Sequence, residues 1–390
     1  MSWSKVKIGD VISISSGGTP SRAKPEYYEF GNIPWVKTGD LKNKYANYPI
    51  EFITEEAIKN SSAKIFPKNT VLLAMYGATI GACSILDFEA ATNQACAALL
   101  PNEQISENYL YYFLSSYKDE LVKLGVGGAQ PNISAGIIKG IQIPLPPLET
   151  QKKIAAILDA ADAYRQKTKA LIAKYEELTQ SLFLEMFGDP VMNEKGYRIE
   201  FLGDLATKIT DGVHAKPEYT ETGVEFISVK DITTGTLRFD KCKYISKEAH
   251  GRYYKRCNPE LNDILYTKVG ATYGRPALVD VEHEFSLYVS VALIKPKKDI
   301  INPFYLLEAM ANPAVKRQAD KAIKGIGVPD LHLNMIKKFL IPLPTLDEQE
   351  QFSKLVQQIE KQKAQAQQSL EKAEELFNSL LQRAFKGEVV

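Results

Sequence analysis

The chain has 390 residues, 48 Lys and Arg against 47 Asp and Glu, and 45% apolar residues with 20 Tyr and 16 Phe. That length predicts two or three domains with cores of their own, and the aromatic content excludes global disorder. No run approaches the roughly 20 apolar residues of a membrane helix, Met1-Ser2-Trp3-Ser4-Lys5 is no signal peptide, and Cys83, Cys96, Cys242 and Cys257 show no Cys-x-x-Cys spacing, so a reducing, cytoplasmic setting is expected.

From the N-terminus, residues 1–147 alternate short apolar runs with turn-rich segments, as a mixed α/β globule does. Ser16-Gly17-Gly18-Thr19-Pro20 reads as a surface loop, residues 70–75 and 95–100 as strands, and 106–124 as a helix. Pro144, Pro146 and Pro147 bar helix before residue 148, and Gly188 with Pro190 stops one. Between these limits Ile154, Ile157, Ala161, Tyr164, Thr168, Leu171, Tyr175, Leu178 and Leu182 alternate steps of three and four. Such a heptad seam predicts a coiled-coil helix over 148–188.

Residues 189–344 repeat the globule pattern, with a loop at Thr210-Asp211-Gly212, strands at 263–266 and 289–294, and a helix at 303–324. From Lys230 to Arg256, Lys230, Arg238, Lys241, Lys243, Lys247, Arg252, Lys255 and Arg256 outnumber Asp231, Asp240 and Glu248, with Phe239, Tyr244, Tyr253 and Tyr254 interleaved. Thr345 with Glu348 makes a capping box for a second coiled-coil helix over 345–390. There Phe352, Leu355, Ile359, Gln362, Ala366, Ser369, Ala373, Leu376 and Leu380 repeat the spacing, and the polar members in the middle favour one register at a cost in stability.

The second half is a copy of the first. Ile8-Gly9-Asp10-Val11 recurs as Leu202-Gly203-Asp204-Leu205, and residues 69–81 recur at 262–274. Ile143-Pro144-Leu145-Pro146 returns as Ile341-Pro342-Leu343-Pro344, 198 residues later, and that offset then pairs Gln151 with Gln349, Leu182 with Leu380 and Phe187 with Phe385. A repeat decides the architecture. The expected fold is two similar α/β domains, 1–147 and 189–344, joined by two long antiparallel coiled-coil helices with a pseudo-two-fold relation. The helices are antiparallel because the chain must run out along one rod and return along the other.

Catalytic motifs are missing. There is no Gly-x-x-x-x-Gly-Lys-Ser/Thr phosphate loop, and Gly125, Gly127 and Gly128 lack the strand and helix context of a dinucleotide site. His214, His250, His283 and His332 fall in no metal-ligand spacing, and no Glu-x-Lys nuclease element occurs. Asn302-Pro303-Phe304-Tyr305 approaches the Asn-Pro-Pro-Tyr pattern of amino-methyltransferases, yet it precedes a helix, where Asn302 is an N-cap and Pro303 sits at N1. Two heads on rigid spacers without chemistry of their own suit a bipartite ligand such as DNA, because linkage fixes the spacing and multiplies affinity. A coiled-coil adaptor whose globules bind protein is the alternative.

With the duplication, several strings make the chain resemble the specificity subunit of type I restriction–modification enzymes along its whole length. They are Ser16-Gly17-Gly18-Thr19-Pro20, Ile33-Pro34-Trp35-Val36-Lys37-Thr38-Gly39-Asp40-Leu41, Met75-Tyr76-Gly77-Ala78-Thr79-Ile80-Gly81, Thr92-Asn93-Gln94-Ala95, Gln130-Pro131-Asn132-Ile133-Ser134 and 143–151. The resemblance implies two target-recognition domains, each reading half of a split asymmetric sequence in double-stranded DNA, and helices on which two modification subunits dock. It implies no cofactor in this chain: S-adenosylmethionine would belong to the modification subunits, and ATP and Mg²⁺ to those partners and the restriction subunits.

Candidate DNA contacts in the first globule are Thr19, Lys37, Thr38, Tyr76, Thr79, Asn93, Gln94, Gln130 and Asn132; the amides among them have the donor–acceptor pairs that read adenine. In the second they are Lys230, Lys241, Lys243, Arg252, Lys255, Lys268, Thr272 and Tyr273, with the lysines and arginine suited to phosphates. Asp40 and Asp231 are expected to cap loops, and Gly77 and Gly270 to supply a turn or a close approach to ligand. The second globule departs from the pattern: Thr210-Asp211-Gly212-Val213 stands against Gly17-Gly18-Thr19-Pro20, and Val328-Pro329-Asp330-Leu331 against 130–133.

Overall fold

The computed structural model describes residues 3–125, 131–323 and 329–389. They form two compact units, Met1–Lys169 with Gln368–Val390, and Ala170–Gln367. Each is mixed α/β, as the sequence predicts.

In unit 1, β1 (Lys5–Lys7), β2 (Ile14–Ser16), β3 (Ile33–Val36), β4 (Phe52–Ile53), β5 (Ile65–Phe66), β6 (Val71–Ala74), β7 (Cys83–Ile85), β8 (Ala90–Thr92), β9 (Cys96–Leu99) and β10 (Gln142–Pro144) make three sheets. The order β2-β9-β6-β7 is antiparallel, β4-β3-β8-β5 contains the parallel pair β3 and β8, and β1 pairs with β10. Every residue of β6 and β9 is buried, which is why both read as continuous apolar runs rather than alternating ones.

Unit 2 repeats the plan. β11 (Arg198–Phe201), β12 (Ala206–Asp211), β13 (Val224–Ile227), β14 (Lys243–Ile245), β15 (Ile264–Thr267), β16 (Pro276–Leu278), β17 (Ser286–Leu287), β18 (Val291–Pro296) and β19 (Leu340–Leu343) order as β12-β18-β15-β16, β14-β13-β17 and β11-β19. β13 and β17 are its parallel pair. Asn302 caps the helix Pro303–Ala311 through Phe304 N at 2.9 Å, which disposes of the methyltransferase-like string.

The two long helices are Leu148–Phe187 and Leu346–Ala384. Thr345 opens the second as a capping box: its N–H donates to Glu348 Oε2 at 2.9 Å, and Glu348 N donates to Thr345 Oγ1 at 3.4 Å. A fully buried glutamine ties each helix start to its globule. Gln151 Oε1 accepts from Ser106 N (2.9 Å) while its Nε2 donates to Pro146 O (2.9 Å); Gln349 Oε1 accepts from Asn302 N (2.8 Å) while its Nε2 donates to Pro344 O (3.0 Å).

The helix ends complete the cores. In unit 1, Tyr109 of the helix Glu107–Ser116 packs against Phe385 (ring centres 5.2 Å apart); in unit 2, Tyr305 packs against Phe187 (4.9 Å). Within each unit the helix segments run antiparallel. Arg165 lies over the Phe377 ring at 4.3 Å and Lys169 pairs with Glu374 at 2.9 Å in unit 1; Glu176 pairs with Lys363 at 3.2 Å and Phe183 meets Phe352 at 5.7 Å in unit 2.

The seam has a different phase from the one expected. Buried or half-buried side chains recur at 154, 158, 161, 165, 168, 172, 175, 179 and 182, and at 352, 356, 359, 363, 366, 370, 373, 377 and 380. Ala161, Tyr175, Leu182, Ile359, Ala366, Ala373 and Leu380 lie on this seam. Ile157, Tyr164, Leu171, Leu178, Leu355 and Leu376 do not; they are exposed, Leu376 at 55%. Steps of four then three carry the seam through Arg165, Thr179 and Lys363, where the expected spacing ran one residue earlier, through Tyr164, Leu178 and Gln362. Arg165 and Lys363 are accommodated because each covers the seam with its stem and pairs its charge, Arg165 with Asp162 at 2.5 Å.

Candidate nucleic-acid interface

In both units a parallel strand pair, and the exit of the first strand of the antiparallel four-stranded sheet, end at one edge. In unit 1, Asn93 N donates to Val36 O (3.1 Å), Gly18 N to Thr92 O (2.8 Å) and Met75 N to Ala95 O (2.8 Å). In unit 2, Tyr288 N donates to Ile227 O (2.9 Å), Val213 N to Leu287 O (2.9 Å) and Lys268 N to Ser290 O (3.0 Å). These bonds make Gly212 the counterpart of Gly17, so the loop register read from sequence, with Thr210 there, is displaced by two residues. Only glycine fits: a Cβ would lie 2.1 Å from Thr92 O at Gly17 and 2.1 Å from Leu287 O at Gly212.

The edge of unit 1 gathers Thr19, Lys37, Asn93 and Gln94. The Thr19 hydroxyl bonds to Gln94 Oε1, and the Lys37 ammonium pairs with Glu51. Lys37 and Arg22 together hold the Glu51 carboxyl below the usual range. Asp40 Oδ2 accepts from Lys37 N at 2.8 Å, the loop cap expected, and Thr38 lies in the turn so formed. The Thr92 Oγ1 and Asn93 Oδ1 atoms are buried without a hydrogen-bond partner among the described residues.

Across the Asn93–Ala95 turn, Tyr76 forms a bridge with the exposed Asn132, and Thr79 Oγ1 donates to Tyr76 O at 3.0 Å. Gly77 and its counterpart Gly270 both have positive φ, +63° and +87°, with open space around the Cβ position. Gln130 lies outside the described residues.

The same edge in unit 2 is charged. Asp211, 4% exposed, faces His214 Nε2 at 3.2 Å, Arg256 Nη2 at 3.2 Å and Lys268 Nζ at 3.6 Å, and Asp330 lies 3.5 Å from Lys268. Arg256 also donates to the carbonyls of Asp211 (2.8 Å) and Gly212 (2.5 Å). Lys268 is therefore not a free surface cation: it is buried between two carboxylates, and Met75 occupies its place in unit 1. Beside this cluster lies a cleft of about 390 Å³ lined by His214, Arg252, Tyr253, Arg256 and Cys257. Burial pushes the Cys257 thiol up to about 12, so it is no nucleophile.

The remaining candidates scatter. Lys243 lies 4.0 Å from the Tyr219 ring centre, Arg252 pairs with Glu248 at 2.8 Å, and Lys241 and Lys255 are exposed. Lys230 donates to Lys241 O at 2.9 Å, while Ser228 holds the position equivalent to Lys37, its N–H donating to Asp231 Oδ2 at 2.8 Å. Thr272 O accepts from Thr267 Oγ1 at 2.7 Å, and the Tyr273 hydroxyl donates to Asp320 at 2.6 Å.

A family model described as the type I restriction modification DNA specificity domain matches twice, over residues 1–178 and 194–375. The chain belongs to that family. The specificity subunit of the type I restriction enzyme MjaIX from Methanocaldococcus jannaschii is 27% identical, over 99% of this chain and 93% of that one. The EcoBI specificity subunit of Escherichia coli is 25% identical, over 100% and 86%. The solved type I S subunit from M. genitalium superposes with a TM-score of 0.60 at 16% identity, covering 98% of this chain and 96% of the other. A chain from a structure concerned with assembly and conformational transition of the type I R-M system reaches 0.61 at 18%, covering 99% and 98%. These two likenesses are of fold, and they agree with the duplicated α/β plan.

The sequence reading missed Asp211, His214 and Arg256 as a group. Its one signal was that the two repeats part company at this loop, where a specificity domain has reason to vary.

Proposed function

We propose that each unit reads one half of a bipartite, asymmetric sequence in double-stranded DNA. The chain is a specificity subunit and non-catalytic by itself, and family membership favours DNA over a protein-binding adaptor. What supports the two-head reading is one strand-end frame carrying different chemistry in each unit: Thr19, Lys37, Asn93 and Gln94 in unit 1 against His214, Ser228, Tyr288 and Val289 in unit 2. Amides and hydroxyls on one edge suit hydrogen bonding to base edges, and the arginine-lined cleft on the other suits guanine or phosphate. Lys241, Lys243, Arg252 and Lys255 are assigned to phosphates.

Two modification subunits dock on the long helices in this reading, one per unit. Each unit leaves an equivalent pair of apolar side chains exposed there, Ile157 and Leu376 in unit 1, Leu355 and Leu178 in unit 2. S-adenosylmethionine, ATP and Mg²⁺ act on those partners and on the restriction subunits, in the cytoplasm. No described helix is long and apolar enough to cross a membrane.

The test is exchange of residues 1–147 for the equivalent part of a relative, followed by methylation mapping of the reconstituted complex. One half of the target should change and the other persist. A change in both halves, or in neither, defeats the two-head reading.

A further inference from the structure

Unit 2 contains an open cleft of about 480 Å³ between the helix Pro303–Ala311, the Thr234–Gly235 turn and the long-helix segments of that unit. Its counterpart in unit 1 is filled. Asp40 O accepts from Asn47 N and Asp231 O from Arg238 N, at 3.1 and 3.0 Å, so Lys44 corresponds to Gly235. The Tyr109 and Tyr305 hydroxyls donate to Pro144 O and Pro342 O, so Tyr112 corresponds to Glu308. The gapless repeat of the long helices pairs Phe377 with Thr179.

In unit 1 the Lys44 ammonium pairs with Asp159 and lies 5.2 Å from the Tyr112 ring centre; the Tyr112 hydroxyl donates to Asp159 at 2.5 Å, and Phe377 packs on Tyr112. Unit 2 has glycine for the lysine, threonine for the phenylalanine and a carboxylate for the tyrosine. One cation and two rings are missing, and an acid stands in the space.

The other charges lining the cleft are largely committed. Lys363 is shared by Glu176 (3.2 Å) and Glu360 (3.7 Å), and Lys316 bonds to Asp320 (2.6 Å). Arg275 is exposed and makes no ion pair with Glu308. Among the described residues the Glu308 carboxylate has neither a hydrogen bond nor an ion pair. Burial, with Glu360 adding to it and Lys363 opposing, pushes that carboxyl up to about 7.

We propose that this cleft binds a linear aliphatic amine, whose ammonium sits beside Glu308 much as the Lys44 ammonium sits within unit 1. Two sources offer that group, a free polyamine and the lysine side chain of a docked protein. Because the ammonium pairs with the ionised carboxylate, binding at pH 6 should be about tenfold weaker than at pH 8.

The experiment is calorimetric titration of the full chain with 1,4-diaminobutane and, separately, Nα-acetyl-lysine amide, at both pH values. One site is expected, tighter at pH 8. Glu308→Gln should lose it, and so should Thr179→Phe, which restores the ring that unit 1 has and leaves the carboxylate in place; circular dichroism checks that both stay folded. Arg275→Gln should tighten binding by removing a like charge from the rim. Tighter binding of the diamine assigns the site to a free polyamine, and tighter binding of the lysine derivative to a docked lysine. Failure of both amines to bind at millimolar concentration, or undiminished binding to folded Glu308→Gln, overturns the proposal.

Discussion

Two neighbouring residues on the second long helix separate the observed seam from the one that apolarity suggests. Phe377 is 8% exposed, packs on Tyr112 at 6.3 Å between ring centres and carries the Arg165 guanidinium at 4.3 Å; Leu376 is 55% exposed. Truncating a buried phenylalanine to alanine costs about 3–5 kcal/mol, from lost transfer energy and the cavity left behind. Loss of the cation–π contact adds about 0.5–1 kcal/mol. Surface truncations stay within about 0.5 kcal/mol. Urea unfolding of the two variants, followed by circular dichroism, should therefore show a large fall in midpoint for Phe377→Ala and almost none for Leu376→Ala. Leu376→Ala should instead weaken capture of the modification subunit, measured at equilibrium with the purified partner. Equal destabilisation by the two substitutions would refute the four-then-three seam. A normal partner affinity for Leu376→Ala would refute the docking assignment and leave the seam untouched.

Gln349→Leu keeps the volume but strands Asn302 N and two carbonyls at the start of a long helix, and should cost at least about 2 kcal/mol in a denaturation midpoint; Gln151→Leu should match it. Lys268→Met should cost roughly 1–3 kcal/mol, below the 3–5 of a fully orphaned buried charge, because Arg256 and His214 still face Asp211. Adding Asp211→Ser recreates the Met75 and Ser16 pair of unit 1 and should recover more than half of that loss, whereas additive costs in a double-mutant cycle would contradict the coupling. Inserting four residues after Leu171 lengthens the first long helix by about 6 Å, and the gap between half-sites should grow by one or two base pairs at about 3.4 Å each. Methylation of the original spacing by a folded insertion variant would deny the helices a spacing role.

What was legible in the sequence is what the backbone frame requires. The duplication shows because Gln151 and Gln349 are each held by contacts of the frame that few other residues satisfy, and Gly77 and Gly270 by a positive φ that favours glycine. Strands β6 and β15 were visible because both are buried from end to end. The seam phase was not, since paired polar residues occupy core-facing positions and apolar ones face outward. Nor was the fate of Lys268. Its partners lie 57 and 62 positions away, Asp211 and Asp330, and no local pattern marks a lysine as internally neutralised.

The pseudo-symmetry gives these differences their meaning. Where two copies share a backbone, a residue kept in both is accounted for by the frame, and a residue changed in one asks for a separate cause. At the strand-end edge the change is from amides and hydroxyls to an ion-paired cluster, and the cluster makes Arg256 a poor candidate for adaptive recognition. Three of its contacts, to Asp211 O, Asp211 Oδ1 and Gly212 O, are made through one nitrogen, Nη2, so the guanidinium is held in place before any ligand arrives. A donor fixed in advance loses little conformational entropy on binding and rejects a mismatched acceptor instead of adjusting to it. In unit 1, Asn93 Oδ1 is buried without a hydrogen-bond partner among the described residues. On the proposed two-head reading, unit 2 would therefore meet DNA with a guanidinium fixed in advance by Asp211 and Gly212, and unit 1 with the amides and hydroxyls of Thr19, Asn93 and Gln94.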